Sequence, residues 1–279
     1  MKKMMLIGLF ALAVTCFGGT ENFIITCGDY SFTISPKRCY TLELIKFQNK
    51  FVTSPNSMGG VVMAANQNLF VGSGHKEGGQ ENVEEIKLLL DGKEVQPEDN
   101  KNYTVEKASL LKKSKLLNLN LEHSINFSAA GIQEKIRLTG SGEQKIHLVY
   151  CFMYAMTPRA DSEYLVKLGN GNLLDAKVTQ DETFAIKNNV KWLAVHFPSD
   201  KRTVLLYFPK VIKGKGLAST LWQRKWYTKF YTMLDIPSMI DAKYDSGDME
   251  GYVRVFETNS DNWKDSVEAQ VSALDAIAN

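Results

Sequence analysis

The chain has 279 residues, of which 44% are hydrophobic and 23% are charged. Its 33 basic and 31 acidic residues give a formal net charge of +2, which excludes the strong electrostatic field expected for a nucleic-acid partner or an anionic membrane partner. The length is enough to bury a sizeable core, and we expect a single domain over residues 20–279.

Residues 1–19 have the layout of a secretory signal peptide. Lys2 and Lys3 precede an apolar run that is too short to span a membrane and that ends in small residues. We therefore expect removal of this segment, no membrane span, and a secreted or periplasmic protein. The residues before Cys16 do not match those that lipoprotein processing favours, so we expect no lipid anchor.

Three cysteines follow this leader. Cys27 and Cys39 flank an alternating segment with a central turn, which predicts a disulfide between them in an oxidising compartment. Cys151 lies in the apolar run HLVYCFMYAM and is predicted to be a buried small hydrophobic residue. The sequence has no Cys-x-x-Cys spacing, and we expect neither a metal nor a cofactor.

The segment VGSGHKEGG, residues 71–79, surrounds three polar side chains with four glycines. Such a segment suits a functional site with an unusual backbone path, and it equally suits a sharp solvated turn. In a site, His75 is the candidate general acid or base, Glu77 is its candidate partner, and Lys76 is a candidate substrate-binding residue. His75 and Glu77 also suit a metal, but no third ligand lies nearby.

Most of the chain is predicted to be all-β, because short patterned segments alternate with Gly, Asn, Asp and Pro turns. In LLNLNLEHSINF, residues 116–127, one face is apolar and the other is polar, and His123 lies on the apolar face. IQEKIRL and IHLVYCFMYAM follow, and we expect them to extend the same sheet as a meander. Later strands are predicted at WLAVHF, RTVLLYF, LWQRKWYTKFYTML and GYVRVFET.

The C-terminal segment DNWKDSVEAQVSALDAI changes to a helical period. Its apolar residues recur at helical spacing and predict a helix that docks through one face, formed by Trp263, Val267, Val271, Leu274 and Ile277. We therefore predict a large antiparallel β-sandwich of two sheets with a short C-terminal helix.

The order LNLNLEHSINF, AAGIQEKIRL and HLVYCFMYAMTP resembles the central region of the galactose-mutarotase-like β-supersandwich superfamily, over about residues 40–260. Aldose epimerases and domains of polysaccharide lyases belong to it, so the resemblance implies carbohydrate in the concave face of a sheet. The epimerases carry a histidine in the strand that corresponds to HLVYCFMYAM. In this chain His147 begins that strand, and Tyr150, Phe152 and Tyr154 occupy its body.

The segment LWQRKWYTKFYTML combines aromatic and basic residues, which are suited to the apolar faces and the hydroxyls of sugars. As one regular strand it places Trp222, Trp226 and Phe230 on one face, as core residues or as a sugar platform. The opposite face is either an ordinary outer surface or a binding surface. The candidate substrate-binding residues of the segment are Arg224, Lys225, Tyr227 and Tyr231.

Two hypotheses of function remain open. One is a carbohydrate-active enzyme, with lyase-type acid and base chemistry on an oligo- or polysaccharide. Such chemistry needs proton-transfer groups and a cation, for which Tyr154 and Arg159 are candidates beside His75 and Glu77. His123 is either a core residue or a substrate-binding residue that lines the cleft. The other hypothesis is a non-catalytic glycan-binding or structural module.

Overall fold

The alternation of apolar and polar residues produces strands that bury one face each. The structure is a computed structural model, and it describes residues 21–55, 59–73, 81–157 and 159–278. In the strand Leu119–Ser128, for example, every second side chain is buried, as the period of a strand requires. The all-β prediction is therefore confirmed.

The helices and strands are numbered in chain order. The strands of the first half are β1 (Phe23–Cys27), β2 (Tyr30–Ser35), β3 (Thr41–Phe47), β4 (Lys50–Phe51), β5 (Val62–Ala64), β6 (Phe70–Gly72), β7 (Asn82–Leu90), β8 (Lys93–Val95), β9 (Asn102–Thr104), β10 (Lys107–Leu116), β11 (Leu119–Ser128) and β12 (Gly131–Gly140). The later elements are β13 (Gln144–Lys145), β14 (Leu148–Met156), β15 (Glu163–Leu168), β16 (Leu173–Lys177), β17 (Phe184–Asn188), β18 (Val190–Phe197), β19 (Arg202–Tyr207), β20 (Gly214–Gln223), β21 (Thr228–Leu234), β22 (Met239–Ile240), β23 (Met249–Glu257) and the helix α1 (Trp263–Ala278).

The large strands form two sheets that share one core. The ten-stranded sheet has the order β16-β15-β18-β19-β23-β12-β11-β10-β7-β8, and the six-stranded sheet has the order β17-β20-β21-β14-β5-β6. Side chains of both inner faces pack together, as where the ring of Phe152 on β14 lies 5.4 Å from that of Phe208 beside β19. Their fully buried side chains supply most of the stability, at about 1.5–3 kcal/mol each.

A five-stranded N-terminal sheet, β4-β3-β2-β1-β9, covers another part of the same inner face. The rings of Phe32 on β2 and Phe127 on β11 lie 4.7 Å apart, and the hydroxyl of Tyr30 donates to the carbonyl oxygen of Val255 over 2.9 Å. The inner face of the ten-stranded sheet is thus covered by two other sheets.

The helix α1 packs on the outer face of the ten-stranded sheet, as its period predicted. Trp263, Val267 and Leu274 are buried against Trp192 and Leu205. The predicted docking of Ile277 is wrong, because the last helical turn lies over a hollow in the sheet surface and leaves this side chain 64% exposed. Within the described ranges, no helix has the length and apolar character needed to cross a membrane.

The predicted meander breaks after β12. β10, β11 and β12 are antiparallel neighbours, but β14 pairs with β5 and β21 in the six-stranded sheet. The chain crosses between the sheets after Gly140, and residues 151–156 of β14, which lies inside its sheet, are all buried.

The segment LWQRKWYTKFYTML is a hairpin rather than the single strand that its alternation predicts. β20 ends at Gln223, β21 begins at Thr228, and the backbone N–H of Arg224 donates to the carbonyl oxygen of Tyr227 over 2.9 Å. The turn reverses the phase of alternation, so Trp222 lies on the outer face. Of the three aromatics predicted to share one face as core residues or as a sugar platform, only Phe230 is fully buried.

The predicted Cys27–Cys39 disulfide is also wrong. Both residues are buried, and within the described part of the chain they are not joined to each other. The thiol of Cys39 donates to the carbonyl oxygen of Glu81 over 3.4 Å. Burial is the main cause that raises the pKa of Cys27 to about 11, so its thiol stays protonated at neutral pH.

Candidate functional site

The predicted site residues fall into three groups. His75, Lys76 and Glu77 lie outside the described residues, so their proposed roles stay predictions. Two others, His123 and Tyr154, meet inside the sandwich. The third group lies at the hairpin β20–β21 and consists of Arg224, Lys225, Tyr227 and Tyr231. Arg159 belongs to none of the three groups and forms an ion pair elsewhere.

An interior cluster joins β11, β12 and β14 around one carboxylate. His123 Nε2 lies 2.8 Å from Glu134 Oε1, and the hydroxyl of Tyr154 donates to Glu134 Oε2. The three residues are 5%, 4% and 6% exposed, respectively. A carboxylate held between an imidazole and a phenol is a proton-transfer arrangement, and in this protein it is enclosed by the core.

The position of Tyr154 depends on an irregularity in β14. The pairing of β14 with β21 shifts register between Cys151 and Tyr154, and Phe152 has a left-handed backbone with φ 51°. Such a bulge re-aims the side chains that follow it. Tyr154 therefore points inward to Glu134, although regular alternation places it on the same outer face as Tyr150.

Burial raises the pKa of Tyr154 well above its usual value, and the adjacent charge of Glu134 adds to the effect. Its hydroxyl is therefore a hydrogen-bond donor at every pH near neutrality. The phenol fixes one oxygen of Glu134, and the imidazole of His123 contacts the other.

A second buried cluster lies on the neighbouring strand. Lys112 on β10 is the cross-strand partner of His123, and its Nζ lies 2.8 Å from Glu81 Oε1. The hydroxyls of Ser73 and Ser114 both donate to the Glu81 carboxylate. Burial alone would raise the pKa of Glu81, but the charge and hydrogen bond of Lys112, together with the two serines, lower it below its usual value.

Sequence reasoning missed Glu81, Lys112 and Glu134. A signal for two of them exists, because Lys112 lies two residues after Leu110 and Glu134 lies two residues after Ile132. Each pair therefore shares the inward face of its strand. A charged residue at an inward position indicates a buried partner.

The outer face of the six-stranded sheet carries what we call the aromatic–basic surface, formed by Tyr150, Phe184, Trp222, Arg224, Trp226, Tyr227, Lys229 and Tyr231. Trp222 and Lys229 are cross-strand partners, and Trp226 at the hairpin turn is 67% exposed. The six-stranded sheet places these side chains on the side of the sandwich away from the ten-stranded sheet.

Arg224 organises one end of this surface. Its guanidinium carbon lies 4.4 Å from the centre of the Trp222 ring and 5.7 Å from that of the Tyr227 ring. Its Nε lies 2.6 Å from Glu182 Oε2, and its Nη1 donates to the Tyr227 hydroxyl over 3.4 Å. These contacts hold the arginine and both rings in one arrangement.

Tyr231 and Tyr150 form the other end. Their ring centres are 5.5 Å apart, and Lys229 Nζ lies 5.7 Å from the centre of the Tyr231 ring. Burial is the main cause that raises the pKa of Tyr231, which keeps its hydroxyl protonated at neutral pH. The surface thus offers ring faces, phenol hydroxyls and cations together.

Lys225 is exposed in the hairpin turn, between Arg224 and Trp226 in the sequence. Arg159 instead belongs to an ion-pair group at Asp200, with 3.5 Å between Arg159 Nε and Asp200 Oδ2. Arg202 contacts the same carboxylate over 2.9 Å.

Solved structures of two bacterial proteins share this fold. The "Putative aldose 1-epimerase" of Escherichia coli K12 aligns over 85% of this chain and 99% of its own, with a TM-score of 0.50 and 8% sequence identity. A galactose mutarotase-like protein from Clostridium acetobutylicum aligns over 84% of this chain and 94% of its own, with a TM-score of 0.50 and 10% identity. No protein-family model and no curated protein matches the chain.

The chain therefore has the galactose-mutarotase-like β-sandwich fold that its strand pattern predicted. Likeness at these identities establishes the fold alone, because one fold hosts many functions. Function has to be argued from the interior clusters and from the aromatic–basic surface.

Proposed function

We propose that this protein binds an oligo- or polysaccharide on its aromatic–basic surface. The observation that carries the proposal is the arrangement of Trp222, Tyr227 and Tyr231, whose rings lie on an outer face with Arg224 and Lys229 against them. Rings of this kind pack on the apolar faces of sugars, while the cations and phenols supply hydrogen bonds to hydroxyls or carboxylates.

The fold supports the same class of ligand. The names of the two similar proteins refer to aldose epimerisation and galactose mutarotation, and both concern sugars. We extend only the class of ligand, not the reaction, to this chain. A polysaccharide ligand also agrees with the predicted signal peptide, and we propose a secreted or periplasmic location on that basis.

Affinity electrophoresis tests the binding proposal. The wild-type chain is run in gels that contain either neutral polysaccharides (β-glucan, xylan, galactomannan) or acidic ones (polygalacturonate, alginate), and we expect retardation by at least one of them. Trp222→Ala should weaken the binding about tenfold or more, since truncating a central aromatic anchor costs about 2 kcal/mol or more. Retardation by none of these polysaccharides overturns the proposal.

Phe51→Ala is the matched control. Phe51 is another exposed aromatic residue with a cation against its ring, since Lys46 Nζ lies 5.0 Å from the ring centre, but it belongs to the N-terminal sheet. We expect this variant to migrate like the wild type in every gel. An equal loss in both variants would point to a general change in surface chemistry and would contradict a site at the hairpin.

A second candidate function is lyase-type cleavage, in which a base removes the proton α to a uronate carboxylate. The His123–Glu134–Tyr154 cluster favours it, because two proton-transfer groups share one carboxylate. Because that cluster is enclosed, binding is our first choice.

Incubation with acidic polysaccharides tests lyase-type cleavage, with the absorbance of unsaturated uronates and the formation of new reducing ends as readouts. A lyase should lose the unsaturated product in Tyr154→Phe or in His75→Ala.

A further inference from the structure

A row of polar side chains crosses the outer face of the ten-stranded sheet, beside the area that α1 covers. Ser109, Asn126, Gln133 and Tyr252 are successive cross-strand partners on β10, β11, β12 and β23. We call these four residues the polar row. All four are half-buried, and they lie on the opposite side of the sandwich from the aromatic–basic surface.

Hydrogen bonds run along the polar row in one direction. The Ser109 hydroxyl donates to Asn126 Oδ1 over 2.7 Å, and Asn126 Nδ2 donates to Gln133 Oε1 over 2.9 Å. Gln133 Nε2 donates to the Tyr252 hydroxyl over 3.0 Å and also to Glu250 Oε1, which accepts from the Tyr252 hydroxyl as well. The chain of donors ends on a carboxylate, so each amide has a fixed orientation.

The polar row lies in a hollow of about 440 Å³, within the range of about 300–1,000 Å³ that is usual for small-molecule sites. Arg254 forms part of its wall and is held by a 2.9 Å hydrogen bond to Gln270 of α1. Ile277, from the last turn of α1, and Ala130 add apolar surface at the rim. The hollow therefore combines oriented amides with an exposed aliphatic side chain.

Capacity for further hydrogen bonds remains in this row. An amide side chain has two N–H donors and two acceptor lone pairs, and the bonds of Asn126 use one donor and one lone pair. A hydroxyl group both donates and accepts, so it matches a neighbouring N–H and carbonyl oxygen better than an anion does. The charges around the row are mixed, because Arg254 and Lys107 line the hollow and the Glu250 carboxylate lies at the end of the row, so they favour neither an anion nor a cation.

We propose that this hollow is a second ligand site, which takes a neutral, hydroxyl-rich saccharide unit. The inference rests on the proposed function for the class of ligand, and on the polar row for the place. Two sites on opposite outer faces make the protein bivalent, so that a long glycan or two glycan chains gain avidity.

Titration of the ¹⁵N-labelled chain with neutral hexasaccharides tests this proposal. The probes are cellohexaose, maltohexaose and mannohexaose, added separately. We expect the side-chain amide resonances of Asn126 and Gln133 to shift with at least one of them. Asn126→Asp removes both N–H donors at nearly constant shape and should weaken binding at this site at least tenfold.

Asn120→Asp is the matched control, since Asn120 lies on the same strand and the same outer face, with Nδ2 donating to Thr139 Oγ1 over 3.4 Å, but outside the hollow. The affinity of the Asn120→Asp variant for the hexasaccharide should stay within about twofold of that of the wild type. Should Asn126→Asp fail to fold, the wild-type amide shifts alone decide the question.

The indole N–H resonances of Trp222 and Trp226 report on the aromatic–basic surface in the same titration. Shifts of the indoles without the amides would overturn the second site and leave the proposed function standing. Shifts of the amides without the indoles would support the second site, and the gels with long neutral and acidic polysaccharides would then decide the proposed function. The absence of both shifts would overturn the second site, and the gels with long polysaccharides would then decide the first site by themselves.

Discussion

Lys112 and Glu81 form an ion pair in the interior of the protein, with 2.8 Å between Nζ and Oε1 and side chains that are 2% and 0% exposed. Lys112 Nζ also donates to the carbonyl oxygen of Cys39 and to the hydroxyl of Ser73, over 2.9 Å and 3.2 Å. Ser73 and Ser114 donate to the carboxylate. This complete set of partners offsets the cost of burying two charges.

Lys112→Met should therefore destabilise the protein strongly. The change leaves the Glu81 carboxylate buried without its counter-charge, and breaking such a pair costs about 3–5 kcal/mol. Urea denaturation at neutral pH, followed by circular dichroism, measures the free energy of unfolding. Lys113→Met is the control, because the next lysine is exposed and pairs with Glu85 at the surface; it should change stability by at most about 0.5 kcal/mol. Equal effects in the two variants would contradict the buried pair.

The same pair predicts a pH dependence of stability. The pKa of Glu81 is lower in the folded protein than in the unfolded chain, where it is about 4.3. Below that value the unfolded state binds more protons, so this part of the stability is fully present above about pH 4.3 and is lost as the pH falls through the folded pKa. The free energy of unfolding should fall more steeply below about pH 5 in the wild type than in Glu81→Gln. Parallel curves would refute the assignment.

Tyr154→Phe removes the phenol that donates to Glu134 inside the sandwich. Since a buried carboxylate loses one of its donors, we expect a loss of about 1–3 kcal/mol in the free energy of unfolding. Tyr164→Phe provides the comparison, because Tyr164 is also buried and its hydroxyl has no hydrogen bond to a described residue. That variant should stay within about 0.5 kcal/mol of the wild type. A loss as small in Tyr154→Phe would mean that the phenol contributes little to holding Glu134.

Only part of the interior cluster can be predicted from the sequence. Alternation correctly placed His123 on the apolar face of β11, and it contains the information that Glu134 faces inward on β12. The third member depends on the bulge at Phe152, which reverses the phase of β14, and on which sheet β14 joins. Both are decided by tertiary packing, so no local pattern reveals that Tyr154 meets Glu134.

The hairpin is a similar case on the surface. The sequence between Gln223 and Thr228 has none of the Gly, Pro, Asn or Asp residues that usually announce a turn, so its alternation reads as one continuous strand. The hairpin members of the aromatic–basic surface were predictable from composition, whereas Tyr150 and Phe184 come from other strands and were not. The face on which each side chain lies was not predictable, because a turn of four residues decides which side chains of β20 and β21 share a face.

The final prediction concerns the charge of the ligand on the aromatic–basic surface. Exposed cations attract an acidic glycan through interactions that salt screens, whereas ring stacking on a neutral glycan is insensitive to salt. If polygalacturonate binds, raising sodium chloride from about 0.02 M to about 0.5 M should weaken its binding severalfold and leave a neutral glucan unchanged. Arg224→Gln should reduce this salt dependence. Lys87→Gln is the control, because Lys87 is likewise paired with a carboxylate, that of Glu85 over 2.7 Å, but lies on the other sheet, so this change should leave the salt dependence as it is. A salt dependence that is the same in both variants would place the acidic glycan elsewhere on the protein.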